Sequence, residues 1–285
     1  MKNLRKTMVL TAVSAALTIT SANLFAADLA QLKDKGVIRI AVANEIPYGY
    51  ADLNGDVKGA GPEVATRVLK NIGIDKIEWQ VTNFSSLIPG LQADRFDMVA
   101  AEMAILPQRC KTVMFSEPNS SYGEGLLVPA GNPNGLKSYE DFVESSYKLA
   151  IMAGADQLEM MQALGMDESR LVTIATNSDA ISTVATGRAD AYAATGQTAA
   201  GLAGQSNKVE VVEDFTDPVI NGETVRSWGG FTFAQGSDAL RDAVSEELAR
   251  FKQTPEWAEI MERNGFVAHD REESFKKTTQ ELCDG

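Results

Sequence analysis

The chain has 285 residues, with 39 acidic against 26 basic side chains, a formal charge of −13 and a hydrophobic fraction of 44%. So acidic a protein is a poor partner for nucleic acid or an anionic membrane, and neither is expected. One histidine, His269, and two cysteines give no basis for a metal site or for a Ser-His or Cys-His nucleophile, so no metal, cofactor or catalytic residue is expected.

Residues 1–26 read as an export signal. Lys2, Arg5 and Lys6 form a basic start, 8–19 an apolar core too short to span a bilayer, and Leu24-Phe25-Ala26 a small-residue end. Removing them leaves 285 − 26 = 259 residues and a charge of −13 − 3 = −16, enough chain for two lobes. A soluble, periplasmic product is expected.

The rest alternates strand-like and helix-like runs. Residues 37–43 (VIRIAVA) are β-rich, 61–74 have helical spacing, and 77–81 are strand-like again. A helix starting near Phe84, a buried strand at 98–101, a Pro-initiated turn presenting Arg109 and a strand at 113–115 follow. An extended piece, 124–128, leads into the turn-rich 129–135. A second set comprises strands at 148–152, 171–174 and 191–194 and helices at 155–164, 178–186 and 198–204. Residues 228–233 (WGGFTF) return extended, helices are predicted at 237–251 and 255–264, and the residues after Val267 read as a loose polar tail. This order predicts parallel α/β layers in two units joined by two extended crossings, near 126–129 and 229–233. A hinged clamp results, with its ligand at the carboxyl ends of strands.

The most informative stretch is 83–118, NFSSLIPGLQADRFDMVAAEMAILPQRCKTVMFSEP. An arginine just past a buried strand, with an aromatic residue a helix away, suits a cleft that holds a small carboxylate beside a ring. The stretch resembles the signature of periplasmic solute-binding proteins of the polar amino acid and ectoine type, "SL..GL..GRxDxxxAxxxxxPERxxxVxFSxP", and the likeness extends over nearly the whole mature chain. The resemblance implies a two-lobed periplasmic-binding-protein fold of type II in the α/β class. Lobe 1 is then discontinuous, 27–128 plus 229–267, lobe 2 is 129–228, and 268–285 form a C-terminal tail.

The family pattern assigns roles to residues. Arg109, in Pro107-Gln108-Arg109, takes the place of the arginine that binds the ligand carboxylate; a guanidinium matches a carboxylate in a planar fork. Phe84 stands where the family has an aromatic cleft wall. Asn44-Glu45-Ile46-Pro47-Tyr48 resembles the ectoine-type "NExPF" loop, placing Glu45 and Tyr48 toward a delocalised or alkylated cation, with Tyr50 as a reserve wall. Gly154-Ala155-Asp156-Gln157 resembles the helix-start turn that completes the anion site; Asp156 either caps that helix or faces the cleft. Gly187-Arg188-Ala189-Asp190-Ala191-Tyr192 matches "GRxDAY", and five residues past Asp190 amino-acid binders keep an aspartate for the ammonium group. Here Thr195 stands in its place, which counts against an ordinary α-amino acid. Ala104 removes one wall of the ectoine-type aromatic box, leaving Tyr48 and Phe84, joined by Trp228 or Tyr50. Glu102 is an added carboxylate that either faces the cleft or pairs with a neighbour.

An exported protein can form a disulfide, yet Cys110 follows the ligand-facing arginine and Cys283 lies in the polar tail. Cys110 is therefore expected to be a small buried hydrophobe rather than half of a bridge. The expectation is a monomeric, non-enzymatic receptor of an ABC importer, handing a small zwitterionic ligand to an inner-membrane permease. Ectoine, hydroxyectoine or a betaine-like solute comes first and a polar or cationic amino acid second. A periplasmic cyclohexadienyl dehydratase on the same fold is the rival, with Glu102 and Asp156 as its candidate acids.

Overall fold

The computed structural model describes residues 27–285; the expected export signal lies outside them. In chain order the strands are β1 (Val37–Val42), β2 (Lys76–Val81), β3 (Met98–Ala104), β4 (Val113–Phe115), β5 (Ser120–Tyr122), β6 (Glu124–Pro129), β7 (Leu149–Met152), β8 (Leu171–Ile174), β9 (Ala191–Thr195), β10 (Val209–Val211) and β11 (Ser227–Ala234), apart from two short hairpins. The α-helices are α1 (Leu29–Lys35), α2 (Ala60–Asn71), α3 (Leu87–Gln92), α4 (Pro107–Cys110), α5 (Gln157–Leu164), α6 (Asn177–Ala185), α7 (Gly196–Ala203), α8 (Asp238–Phe251), α9 (Pro255–Arg263), α10 (Ala268–Glu273) and α11 (Thr279–Asp284).

Two lobes follow from two sheets. The first runs β2-β1-β3-β11-β4, with β5 also paired to β11; β1, β2 and β3 are mutually parallel and β11 is antiparallel to its neighbours. The second runs β8-β7-β9-β6-β10, with β7, β8 and β9 parallel and β6 antiparallel to β9 and β10. Each sheet has its own core. Ile38, Ile40, Phe231, Phe233 and Trp257 anchor one, and Leu126, Tyr139, Phe142, Leu149 and Tyr192 the other.

Local chemistry explains the helices. In α2 the buried Val64, Ala65, Val68 and Leu69 share one face. Helix α9 starts at Pro255, where a missing N–H costs nothing, and the Thr254 side chain caps the Trp257 amide. The helix expected near Phe84 begins as a 3₁₀ turn, Phe84–Ser86, and becomes α-helical at Leu87.

The two expected crossings prove to be interior strands. Leu126, Leu127 and Val128 are fully buried because β6 sits between β9 and β10, and residues 229–233 belong to β11 between β3 and β4. A continuous apolar run marks a strand covered on both faces, not an exposed linker. The chain passes between sheets at Gly123 and, on its return, at 225–226.

The C-terminal segment also departs from expectation. Residues 268–285 are not a loose tail but carry α10 and α11, docked on the first lobe. The Trp228 indole N–H donates to Glu273 O at 2.9 Å, the Lys252 ammonium donates to Ser274 O at 2.8 Å, and the Phe275 ring meets Trp257 edge-on. A capping box of Thr278 and Glu281 starts α11. Contrary to the reading of Cys110 as an unpaired hydrophobe, Cys110 and Cys283 form a disulfide joining α4 to α11. The segment is polar because it is held by caps, backbone acceptors and a covalent bond instead of an apolar stripe. No described helix is long and apolar enough to cross a membrane.

The bridge closes a loop over a sequence separation of 173. Replacing Cys283 by serine, or reducing the bridge, should lower unfolding free energy by roughly 2–5 kcal/mol. Thermal melts with and without reductant check this, and coincident melts would mean that the bridge does not form in solution.

Candidate functional site between the lobes

Between the lobes lies a small cavity of about 30 Å³, more than one water needs, lined by residues of both. Glu45, Tyr48, Phe84, Glu102, Asp156 and Thr195 all line it. Arg109 and Gly154 are not among the lining residues; they contact each other, and Arg109 also touches Ala104 and Phe84, which do line it. Arg109 is only 7% exposed, and its Nη1 donates to Ala104 O at 2.9 Å while Nη2 donates to Gly154 O at 3.1 Å. Its guanidinium carbon lies 5.5 Å from the centre of the Phe84 ring. Pro107 starts the short α4 that carries the arginine, directly after β3. A guanidinium has more donors than these two carbonyls use, so donors remain for a carboxylate.

Gly154 must be glycine. Its φ is +82°, and a Cβ would come within 3.1 Å of Ser85 Cα in the other lobe. Its carbonyl, rather than a free helix N–H, is the group turned to Arg109.

Further contacts tie the lobes together. The Tyr48 hydroxyl donates to Thr195 Oγ1 at 2.8 Å, and the Thr198 hydroxyl donates to Glu45 Oε1 at 2.7 Å. Thr195 caps α7 by accepting from the Thr198 amide. The Tyr48 ring is packed edge-on against Tyr122 and Phe266, so its position is fixed. Burial pushes the Glu45 carboxyl up to about 7, opposed by the Thr198 and Asn177 side chains.

Each open alternative resolves from these contacts. Asp156 lines the cavity and its side chain makes no capping bond to α5; its nearest donor is the Ser227 hydroxyl, at 3.5 Å. Glu102 borders the cavity but directs its carboxylate to Asn119 Nδ2 at 2.7 Å and the Ser120 hydroxyl at 2.5 Å. Burial raises it to about 7, against the pull of those two donors and Lys252. Its φ of +50° lies in the left-handed region that favours glycine. The facing Gly229 leaves room for it, since a Cβ would sit 2.6 Å from Glu102 O. Two proposed walls fall away. Tyr50 belongs to a separate groove with Asn44 and Leu53, and the Trp228 indole is turned to Glu273.

Sequence reasoning missed Tyr122, Gln157 and Glu124. Tyr122 adds a ring to the cavity lining, and its hydroxyl donates to Glu102 O at 2.8 Å. Glu124 accepts from Gln157 Nε2 at 2.7 Å and from the Tyr139 hydroxyl at 3.1 Å, while its Oε1 is buried without a partner. Burial and the Asp156 charge push the Glu124 carboxyl well above the ordinary range. The available signal was a lone carboxylate heading the apolar run EGLLV. Among the described residues, Glu45, Glu102 and Asp156 of the lining, and Glu124 bonded to Gln157, have no ion-pair partner, so the site carries acid without a paired base.

Known proteins share this chain's sequence pattern and fold. Residues 38–266 match the profile of the bacterial extracellular solute-binding proteins, family 3. The chain belongs to that family. It is 54% identical over 275 residues, 95% of this chain and 91% of the relative, to a probable amino-acid ABC transporter periplasmic-binding protein, y4tE, of Sinorhizobium fredii. Its fold is similar to that of EhuB crystallised with hydroxyectoine, with a TM-score of 0.81, 31% identity and coverage of 90% of this chain and 97% of that one. It is also similar to an ancestral amino acid-binding protein, AncCDT-1, a precursor of cyclohexadienyl dehydratase, with a TM-score of 0.69, 26% identity and coverage of 82% and 98%. This family 3 protein is thus a substrate-binding component of an ABC transporter of the amino-acid type.

The raised carboxyls give a pH signature. Glu45 and Glu102 sit near 7 when folded against an ordinary 4.5, so between those values the native state holds more protons than the unfolded chain. Their stabilising share is complete below about 4.5 and is lost as pH rises through about 7. Lys252, lowered by burial to about 7, acts in the opposite sense only above that pH. Glu102→Gln should therefore flatten the decline in melting temperature of the ligand-free protein from pH 5 to pH 7. Parallel profiles for variant and wild type would remove Glu102 from the account.

Proposed function

We propose that the protein captures a small solute bearing a carboxylate and a delocalised or alkylated cation, of the ectoine, hydroxyectoine or betaine kind. It acts as a periplasmic monomer and delivers the solute to an inner-membrane permease. The observation that carries this reading is a buried guanidinium against the lining residues Ala104 and Phe84, together with a buried Glu45 in the cavity wall among the rings of Tyr48, Phe84 and Tyr122. Arg109 takes the carboxylate in a fork. Glu45 and the ring faces take the cation, each desolvated cation–π contact contributing on the order of 2 kcal/mol. Because groups of both lobes border the cavity, the solute meets all of them only in the closed form and shifts the population toward it.

A second reading has its own support. Glu124 and Asp156 add acid without a basic partner among the described residues, which suits a ligand with an extra amine or guanidine, as in a cationic amino acid. Thr195 in place of an ammonium-binding aspartate weighs against an ordinary α-amino acid.

A thermal-shift and calorimetry panel of ectoine, hydroxyectoine, betaines and amino acids separates the two readings. Arg109→Ala should weaken the responding ligand by about 2–5 kcal/mol, the usual cost of stranding one member of a buried charge pair. Affinity unchanged by that substitution would refute the carboxylate role. Glu45→Gln should weaken cationic ligands, and at about pH 5, where the native carboxyl is protonated, it should leave the melting temperature nearly unaltered. Turnover of prephenate or arogenate would replace the transport reading by an enzymatic one.

A further inference from the structure

Residues beyond Phe266 lie outside the stretch matched by the family profile, 38–266. Within them Asp270, only 8% exposed, has more partners than a helix cap needs. Its Oδ1 accepts from Arg226 Nη2 at 2.6 Å, and its Oδ2 accepts from Gln197 Nε2 at 3.2 Å and from the Val267 amide at 3.2 Å. Arg226 lies on the returning crossing and also donates through Nε to Ser121 Oγ at 2.7 Å. Gln197 is in the first turn of α7, in the second lobe, and its Oε1 is 3.3 Å from the Tyr48 hydroxyl. Helix α10 is itself fixed to the first lobe through the Trp228 bond to Glu273 and the Lys252 bond to Ser274.

We propose that Asp270 is a closure latch, a positioning residue that holds the lobes together through Gln197. The carboxylate belongs to the first lobe, but it reaches the crossing at Arg226 and the second lobe at Gln197. Rotation of the lobes about the crossings at Gly123 and 225–226 stretches the Gln197 contact, whereas the Arg226 pair stays with the pivot. The latch therefore favours the closed form before any solute arrives, and it sets how often the cleft opens. It rests on the family-level reading of a protein that closes over its solute, and not on which solute that is.

Small-angle X-ray scattering of the full-length, ligand-free protein tests it. Asp270→Ala should lower the closed-to-open ratio about tenfold, the effect of losing one charge-assisted contact, and raise the radius of gyration. Gln197→Ala removes the same contact from the other lobe without disturbing α10, and remains informative if the Asp270 variant fails to fold. The double variant should open no further than Gln197→Ala alone, which also loses the 3.3 Å contact to Tyr48. A wholly structural role would lower the melting temperature and leave the scattering unchanged; that result, or fully additive opening, would overturn the latch. Hydroxyectoine used as the probe should also dissociate about tenfold faster from Asp270→Ala. Failure of hydroxyectoine to bind wild type would count against the proposed ligand class alone, because the scattering arm needs no ligand.

Discussion

One guanidinium holds the arrangement together. Arg109 bonds a carbonyl at the end of β3 in one lobe and a carbonyl in the turn before α5 in the other, with a ring of the cavity wall beside it. Both acceptors are backbone atoms, so the position of the charge is set by where two chains run and not by side-chain rotamers. The glycine at 154 is what lets the second chain come close enough. A buried cation satisfied by neutral carbonyls keeps an uncompensated charge, and an anion is the natural complement.

The opposite side of the balance is unusual in amount. Glu45, Glu102 and Asp156 line one small space and Glu124 bonds the lining residue Gln157, and all four are at least nine-tenths buried. Hydroxyl and amide donors satisfy part of this set, and protons take up part of the rest, as the raised Glu45, Glu102 and Glu124 carboxyls show. A low-dielectric cleft makes the charges costly when empty, and the same cleft strengthens any contact they make with a cation. Surplus acid is thus a selectivity device as well as a liability.

Much of this was legible in the residues. Apolar β-rich runs announced the strands, and the order of helix, strand, Pro and Arg around Arg109 located the site. What was not legible has physical causes. β5 is polar, since Ser120 and Ser121 spend their hydroxyls on Glu102 and on the Ser227 carbonyl, so it carries no apolar alternation. Glu102 turned toward Asn119 because of a backbone angle that sequence does not print. The crossings were misplaced because a fully buried strand and an extended linker look alike when periodicity is absent. The C-terminal helices were missed because polar residues fastened from outside resemble residues fastened by nothing.

The disulfide has a consequence for biogenesis. Every strand of the second sheet, and the return strand of the first, is synthesised between the two cysteines. The bridge therefore cannot close before nearly the whole chain has been made. Once made, it ties the final helix to the turn that carries Arg109, so the chain's end cannot peel away without a reductant.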